Sequence, residues 1–406
     1  MINNFNYYTP TKIVFGDNTV CKIGSLASSF GAKKVLIHYG SPRVIKSGLI
    51  DSVKNSLEDF NIDYILLGGV IPNPRLELVY HGIDMAKKEN VDMIIAVGGG
   101  SVIDSAKAIA YGARYDGDVW DFYLKKSSPK EALPVGVVLT MAATGSEMSN
   151  SSVISNDETK EKLGCNSDIS RPAFSILDPS LTLTLPSYQT AAGCVDILMH
   201  TFERYFTSNG NMLLTDEIAE GLMRTVIDCS KKLKENPKDL DARGEILWAG
   251  SLSHNGLTGC GNAGNDFATH KLEHEFSAKF DVTHGAGLSA LWGSWARYVI
   301  DICPERFYRF ATKVMNISSY NGDISKEDIS KEEMKKLGLL GIEATEDFFK
   351  SIDMPTSLKE LVPSIKIGDL ENMADRCSNI SGGHIGSCKI LDREDMLSIY
   401  KMAFDR

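Results

Sequence analysis

Apolar residues follow two different rhythms along the 406-residue chain, and the change of rhythm divides it. In the first part, short apolar runs recur at Lys34–Tyr39, Asp63–Leu67, Asp92–Val97 and Val135–Leu139. Runs of this length, bounded by Gly, Pro or charged residues, predict buried strands. Between them, over 44–59, Leu76–Lys88 and 101–111, apolar positions return at the spacing of one helix face. Such alternation predicts an α/β domain with a parallel, Rossmann-like sheet.

From Leu185-Pro186 onward the helical rhythm dominates, at Tyr188–Phe206, Thr215–Lys234, Leu240–Leu257, Phe267–Ala278 and Gly285–Ile300. It continues at Lys331–Leu337, Ala344–Ser351 and Arg393–Met402, while Cys303-Pro304-Glu305 opens a further helix with proline in its first turn. The expected organisation is therefore an α/β domain over 1–185 and an all-helical domain over 186–406.

Composition narrows the partners. Acidic residues number 53 against 43 basic ones, a balance that argues against nucleic acid. No apolar run approaches the roughly 18 residues of a membrane span. Met1–Tyr8 lacks a basic head followed by an apolar core, and the eight cysteines form no Cys-x-x-Cys pair. Both features lead us to expect a cytoplasmic protein with reduced thiols.

Candidate chemistry falls in both halves. Ile94–Val97 runs into Gly98-Gly99-Gly100-Ser101 and then a helix, so successive backbone amides and a helix N-terminus are available to a phosphate. The pattern is not Gly-x-Gly-x-x-Gly, and a plain packing turn has the same look. Asp104, in the first turn of that helix, is suited to capping or to a coenzyme hydroxyl. Thr140 and the run Thr144-Gly145-Ser146 form a second small polar cluster after a strand, and Lys162 is a candidate phosphate partner. Gly40 and Ser41 follow a strand end with no acidic residue for an adenosine ribose, and with Arg43 nearby they favour NADP(H).

In the second half, Asp196 and His200 lie four residues apart in a strongly apolar helical segment, as do His270 and His274. Residues at that spacing share a helix face. A carboxylate buried in so apolar a helix is costly unless it is paired or bound to a metal. His284, in Thr283-His284-Gly285, adds another imidazole, and the set suits one divalent cation. Spacing leaves open whether His270 or His274 completes the set. The order is not His-Glu-x-x-His, so peptide hydrolysis gains no support.

Four segments together carry a resemblance. They are Gly98–Lys107, Ala143–Met148, Asp266–Glu275 and Asp281–Gly287, with Tyr8–Gly16 extending the match toward the N-terminus. In this order they resemble the iron-containing, or group III, alcohol dehydrogenases, most of all their NADPH-dependent butanol dehydrogenase branch. The resemblance implies a dehydroquinate synthase-like architecture. It implies reversible hydride transfer between NADP(H) and an aldehyde or primary alcohol such as butanal and butanol. It implies one divalent metal, Fe2+ or Zn2+, on Asp196, His200, His270 and His284, with His274 near the substrate as a proton relay. It further implies a coenzyme site at Gly98, Gly99, Gly100, Ser101, Thr140, Thr144, Asn150 and Lys162, and a homodimer. A glycerol or other polyol dehydrogenase on the same fold is the alternative. A phosphate-eliminating cyclase would require more convergent Lys and Arg than accompany these motifs.

Overall fold

The computed structural model describes residues 3–208, 212–262, 264–318 and 329–406, which form two compact units. One unit comprises Tyr8–Leu185 with Lys238–Asn255. The other comprises Pro186–Pro237 and Gly256–Arg406, with the residues up to Tyr7.

The α/β unit holds strands β1 (Lys12–Phe15), β2 (Lys34–Tyr39), β3 (Asp63–Leu67), β4 (Met93–Gly98) and β5 (Val135–Leu139). A hairpin, β6 (Ser151–Asn156) and β7 (Glu161–Asn166), precedes β8 (Phe174–Leu177). Six strands form one parallel sheet in the order β1-β8-β5-β4-β2-β3, while β6 and β7 pair separately and antiparallel. Helices α1 (Ile23–Ser29), α2 (Arg43–Lys46), α3 (Leu49–Glu58), α4 (Leu76–Lys88), α5 (Gly100–Gly112) and α6 (Trp120–Tyr123) connect them. The continuous apolar runs of β4 and β5 are buried throughout, as a central parallel strand requires. At the edge, β3 leaves Leu66 exposed.

The strand order fixes where this unit presents an open crevice. From β2 the chain steps outward to β3, but from β4 it steps the other way, to β5. The sense of winding therefore reverses between neighbours β2 and β4, and their carboxyl ends, Tyr39 and Gly98, flank the crevice where doubly wound sheets bind ligands.

The helical unit contains α7 (Ser187–Tyr205), α8 (Leu213–Glu235), α10 (Ala268–Phe280), α11 (His284–Val299), α12 (Pro304–Lys313), α13 (Lys331–Ser351), α14 (Leu358–Leu361), α15 (Ile367–Ile380) and α16 (Arg393–Asp405). Every residue from Ala191 to Tyr205 in α7 is buried. Its aromatic side chains build the core, with Phe206 stacked on Phe307 at 4.4 Å and Phe202 4.9 Å from Trp292. Such ring pairs add roughly 0.5–1.5 kcal/mol each beyond their burial.

Three expectations change on contact with the structure. The helix over 44–59 is two, α2 and α3, because Gly48 at φ +79° interrupts it. The two short helices over 331–351 are one, α13, whose Gly338 and Gly341 are contact points rather than breaks. A Cβ at these glycines would lie 2.8 Å from Phe307 and 2.7 Å from Ala311, so the missing side chains let α12 and α13 touch. Finally, α9 (Leu240–His254) follows the 185/186 boundary in the chain yet groups with the α/β unit. There Ser251 donates to Glu147 at 2.6 Å, and Gly244 lets the helix approach Phe15 and Pro179. Among the described residues, no helix is long and apolar enough to cross a membrane.

Candidate functional site

Three helix segments of the helical unit converge on one point. Asp196 sits in the buried stretch of α7, His270 in the first turn of α10, and His284 at the start of α11. Asp196 Oδ1 lies 3.6 Å from His270 Nε2 and 3.8 Å from His284 Nε2. These three residues each offer a ligand atom within 4.8 Å of the others. His200 stands one turn along α7, with Nδ1 2.9 Å from the Asp196 carbonyl and its ring centroid 4.5 Å from that of His270. A proton on Nδ1 serves that carbonyl and leaves the Nε2 lone pair for another partner.

A test of fit for a cation comes from what these groups lack. Asp196 Oδ1, which lies 3.1 Å from His200 Nδ1 outside hydrogen-bonding geometry, and His270 Nε2 are buried without a hydrogen-bond partner. An unsatisfied buried polar atom costs roughly 1–3 kcal/mol, more for a charged group, so two facing each other call for a ligand. The donor set, one carboxylate oxygen and imidazole nitrogens, suits Fe2+ or Zn2+. The titration behaviour agrees: burial opposes ionisation of Asp196, but His200 and His284 hold its carboxyl well below the usual range. Burial would lower His270, yet Glu203 and Asp196 lift it to about 9.

Local sequence explains the geometry. Gly285 is a close approach: a Cβ there would lie 2.0 Å from the Ala192 carbonyl oxygen, so only glycine lets α11 meet α7 beside His284. Asp266 sets the entry to α10. One of its oxygens accepts from the Ala268 amide, and the other accepts from the amides of Ser387 and Cys388. Phe267 turns the chain at φ 52°.

Two residues that spacing arguments did not single out complete the arrangement. Glu203 accepts from His270 Nδ1 and from the His270 backbone amide, the latter at 3.1 Å. Glu273 accepts from His284 Nδ1 and from Ser277 Oγ. Both glutamates are fully buried. A usable clue existed for Glu203: it follows Asp196 by seven residues and His200 by three, on the same face of an apolar helix. The geometry groups His270, not His274, with Asp196. His274 is half-buried, with its ring 5.8 Å from that of His284, on the side shared with Glu273.

In the α/β unit, Gly98–Ser101 link the end of β4 to the start of α5, at the switch point. Thr140 binds there through its amide, which donates to the Gly98 carbonyl at 3.0 Å. Thr144 lies against Gly100, where a Cβ would be 2.2 Å from Thr144 Oγ1. Gly40 and the exposed Ser41 follow β2, and the Ser41 hydroxyl accepts from the Arg43 amide at 3.0 Å. Asn150 directs its amide to Asp168 at 3.3 Å, and Lys162 lies on β7 opposite Ser155.

Asp104 lies in the first turns of α5. It is buried, with Oδ1 accepting from Ser146 at 2.6 Å and Oδ2 from the Val153 amide at 3.0 Å. Its oxygens are engaged inside the fold, where they tie α5 to the following loop and hairpin. One turn on, the fully buried Lys107 donates to the Ser146, Ser149 and Ser151 carbonyls at 2.8–3.0 Å. Burial draws Lys107 down to about 8. Sequence spacing pointed to neither role.

Comparison with known proteins places the whole chain. The family model for iron-containing alcohol dehydrogenase matches residues 10–179, and that for the C-terminal region of the Fe-containing alcohol dehydrogenase family matches 190–404. The chain belongs to the iron-containing alcohol dehydrogenase family. It is 39% identical over 401 residues to NADH-dependent butanol dehydrogenase A of Clostridium acetobutylicum, covering 99% of this chain and 100% of the relative. It is 34% identical over 366 residues to the NADPH-dependent aldehyde reductase YqhD of Escherichia coli, covering 88% and 89%. The solved structure of NADH-dependent butanol dehydrogenase A from Thermotoga maritima superposes with a TM-score of 0.92 at 38% identity, covering 99% of each chain.

Proposed function

We propose that this family member interconverts aldehydes and primary alcohols, with butanal and butanol as representative substrates, using NADP(H) and one divalent metal. The observation that carries the reading is the pair of facing orphan atoms, Asp196 Oδ1 and His270 Nε2, in a chain of this family. Asp196, His200, His270 and His284 would hold Fe2+ or Zn2+, which supplies Lewis acidity toward a carbonyl or hydroxyl oxygen. NADP(H) supplies or accepts the hydride.

The remaining steps belong to the protein's own groups. Asp196 contributes the one negative charge among the four donors, which favours a cation over a neutral ligand. His274, outside that set and half-buried, would pass a proton between the substrate oxygen and solvent. The amides of Gly98–Ser101 and the N-terminus of α5 receive the pyrophosphate. Thr140, Thr144, Asn150 and Lys162 bind the rest of the coenzyme. Gly40 and Ser41, with Arg43, leave room and positive charge for a 2′-phosphate, since no acidic residue follows β2 at this point. The relatives' names include both NADH and NADPH, which makes this preference the finer part of the proposal. We also propose a cytoplasmic homodimer.

Steady-state assays on enzyme reconstituted with Fe2+ or Zn2+ test the reading, with butanal and glycerol as alternative substrates and NADPH and NADH as alternative coenzymes. The expected result is turnover of butanal with higher kcat/KM for NADPH, reduced in that preference by Arg43→Ala. Turnover of glycerol alone would overturn the substrate class, and preference for NADH would overturn the coenzyme assignment. Sedimentation of the same sample as a monomer would remove the dimer.

A further inference from the structure

We infer that Glu203 and Glu273 are positioning residues that fix the histidine tautomers of the metal centre, and that glutamine can replace Glu273 but not Glu203. The inference rests on the preceding reading only in taking Asp196, His270 and His284 as cation ligands.

An imidazole ligates through the nitrogen that carries no proton, so the partner of its other nitrogen decides whether it is available. Carboxylates accept hydrogen bonds and cannot donate them. Glu203 beside His270 Nδ1, and Glu273 beside His284 Nδ1, therefore keep protons on both Nδ1 atoms. Both Nε2 atoms are left facing Asp196. The two glutamates come from different helices and arrive by different routes. Glu203 is on α7, seven residues beyond Asp196, and reaches α10. Glu273 is on α10 and reaches α11. Room for Glu273 comes from Gly287, where a Cβ would lie 2.8 Å from its Cγ and Oε1.

The difference between them lies in the second oxygen. Glu203 Oε1 accepts from the His270 backbone amide, a donor that cannot reverse. A glutamine at 203 has one accepting oxygen, and the amide claims it. Its NH2 then points at His270 Nδ1, which is satisfied only by the other tautomer, with the proton on Nε2. The fold survives with its hydrogen bonds complete, but the ligand lone pair is lost. Glu273 Oε1 instead accepts from the Ser277 hydroxyl, which can rotate. A glutamine at 273 can keep its oxygen on His284 Nδ1 and donate its NH2 to Ser277 Oγ. The Ser277 proton then turns to the Val282 carbonyl, 3.5 Å away.

Two measurements on Glu203→Gln, Glu273→Gln and Glu273→Ala test this. The first is affinity for Zn2+ by competition with a chromophoric chelator. The second is the protonation of each Nδ1 by 15N-histidine NMR on metal-free protein. We expect Glu203→Gln to bind Zn2+ about 10- to 100-fold more weakly than wild type. It should also show His270 Nδ1 without its proton while unfolding in a single cooperative transition. Glu273→Ala should weaken Zn2+ binding comparably, and Glu273→Gln should restore it to within a few-fold of wild type. Wild-type affinity in Glu203→Gln, or equal losses in both glutamine variants, would overturn the inference. The NMR arm keeps the two readings apart. If wild type bound no Zn2+, the metal assignment would fall, while a protonated His270 Nδ1 in Glu203→Gln would independently sink the tautomer argument.

Discussion

Among the described residues, a buried charged cluster in the α/β unit and one in the helical unit differ in how fully they are hydrogen-bonded. In the α/β unit, Lys107 is surrounded by serine oxygens, Asp104 has both oxygens engaged, and Glu147 accepts from Ser251. In the helical unit, Asp196 Oδ1 and His270 Nε2 face each other with no hydrogen-bond partner. Two buried imidazoles repeat the contrast. His38 has Nδ1 on the Leu67 carbonyl and Nε2 on Ser105, each at 2.9 Å, and burial draws it down to about 4. His270 has one nitrogen satisfied and is drawn up to about 9 by Glu203 and Asp196 against the effect of burial. Burial of charge therefore does not by itself mark a site. What marks a site is a buried group whose remaining valence points at another of its kind.

The strongest way to break this comparison is to empty both clusters. Asp196→Asn should lose bound metal and about a thousandfold in turnover, since several kcal/mol of polarisation corresponds to that factor at about 1.4 kcal/mol per decade. Lys107→Met should leave metal stoichiometry unchanged and cost about 1–3 kcal/mol for each buried serine carbonyl left without its donor. Metal analysis and thermal unfolding of the two variants read these effects separately; metal loss in Lys107→Met would erase the distinction.

Acid should act next. The unfolded-state value for His38 is 6.5 and the folded value about 4, so the unfolded chain takes up the proton first as pH falls. The stability contributed by neutral His38 is complete above pH 6.5 and decays down to about pH 4, by on the order of 3 kcal/mol. Denaturant unfolding across that window should show this slope, and His38→Gln should flatten it whatever its stability at neutral pH. An unchanged slope would mean that other groups carry the acid sensitivity.

The smallest effects compare two glycines. Gly285→Ala pushes a Cβ against the Ala192 carbonyl oxygen, and overpacking of this kind costs about 1–3 kcal/mol. It should weaken metal binding by separating α11 from α7. Gly100→Ala pushes against the Thr144 side chain instead, so it should raise KM for the coenzyme with metal content intact, and Thr144→Ala, which removes the Oγ1 it meets, should partly relieve the crowding. A backbone obstacle at Ala192 permits no equivalent relief. Coenzyme titration and metal competition on the three variants distinguish the cases.

Much of this arrangement is legible in residue spacing. Long apolar periodicities mark α7, α8, α10 and α11, and the four-residue intervals at 196/200 and 270/274 point to the helix faces that carry Asp196 and His270. What escapes is set by contacts between distant segments. Glu203 and Glu273 read as ordinary helical carboxylates until the helices cross. Lys107 gives no signal by spacing, because the serine loop that closes over it is distant in the chain. Gly338 and Gly341 fall between the two expected helices because sequence shows the missing side chain but not the neighbouring helix that needs its space. The β6–β7 hairpin escapes for another reason: Ser151–Asn156 and Glu161–Asn166 are rich in polar residues and show little apolar alternation.

The placement of α9 carries a consequence for how the protein is made. Because this helix lies far downstream yet packs beside Phe15 and Pro179, the α/β unit is not complete when residue 185 leaves the ribosome. Its last piece emerges only after the α7 and α8 segments have been synthesised. A nascent chain truncated before Leu240 must shield that patch by other means, so chaperone dependence during translation should peak in the interval between the first unit's sheet and its late-arriving cover.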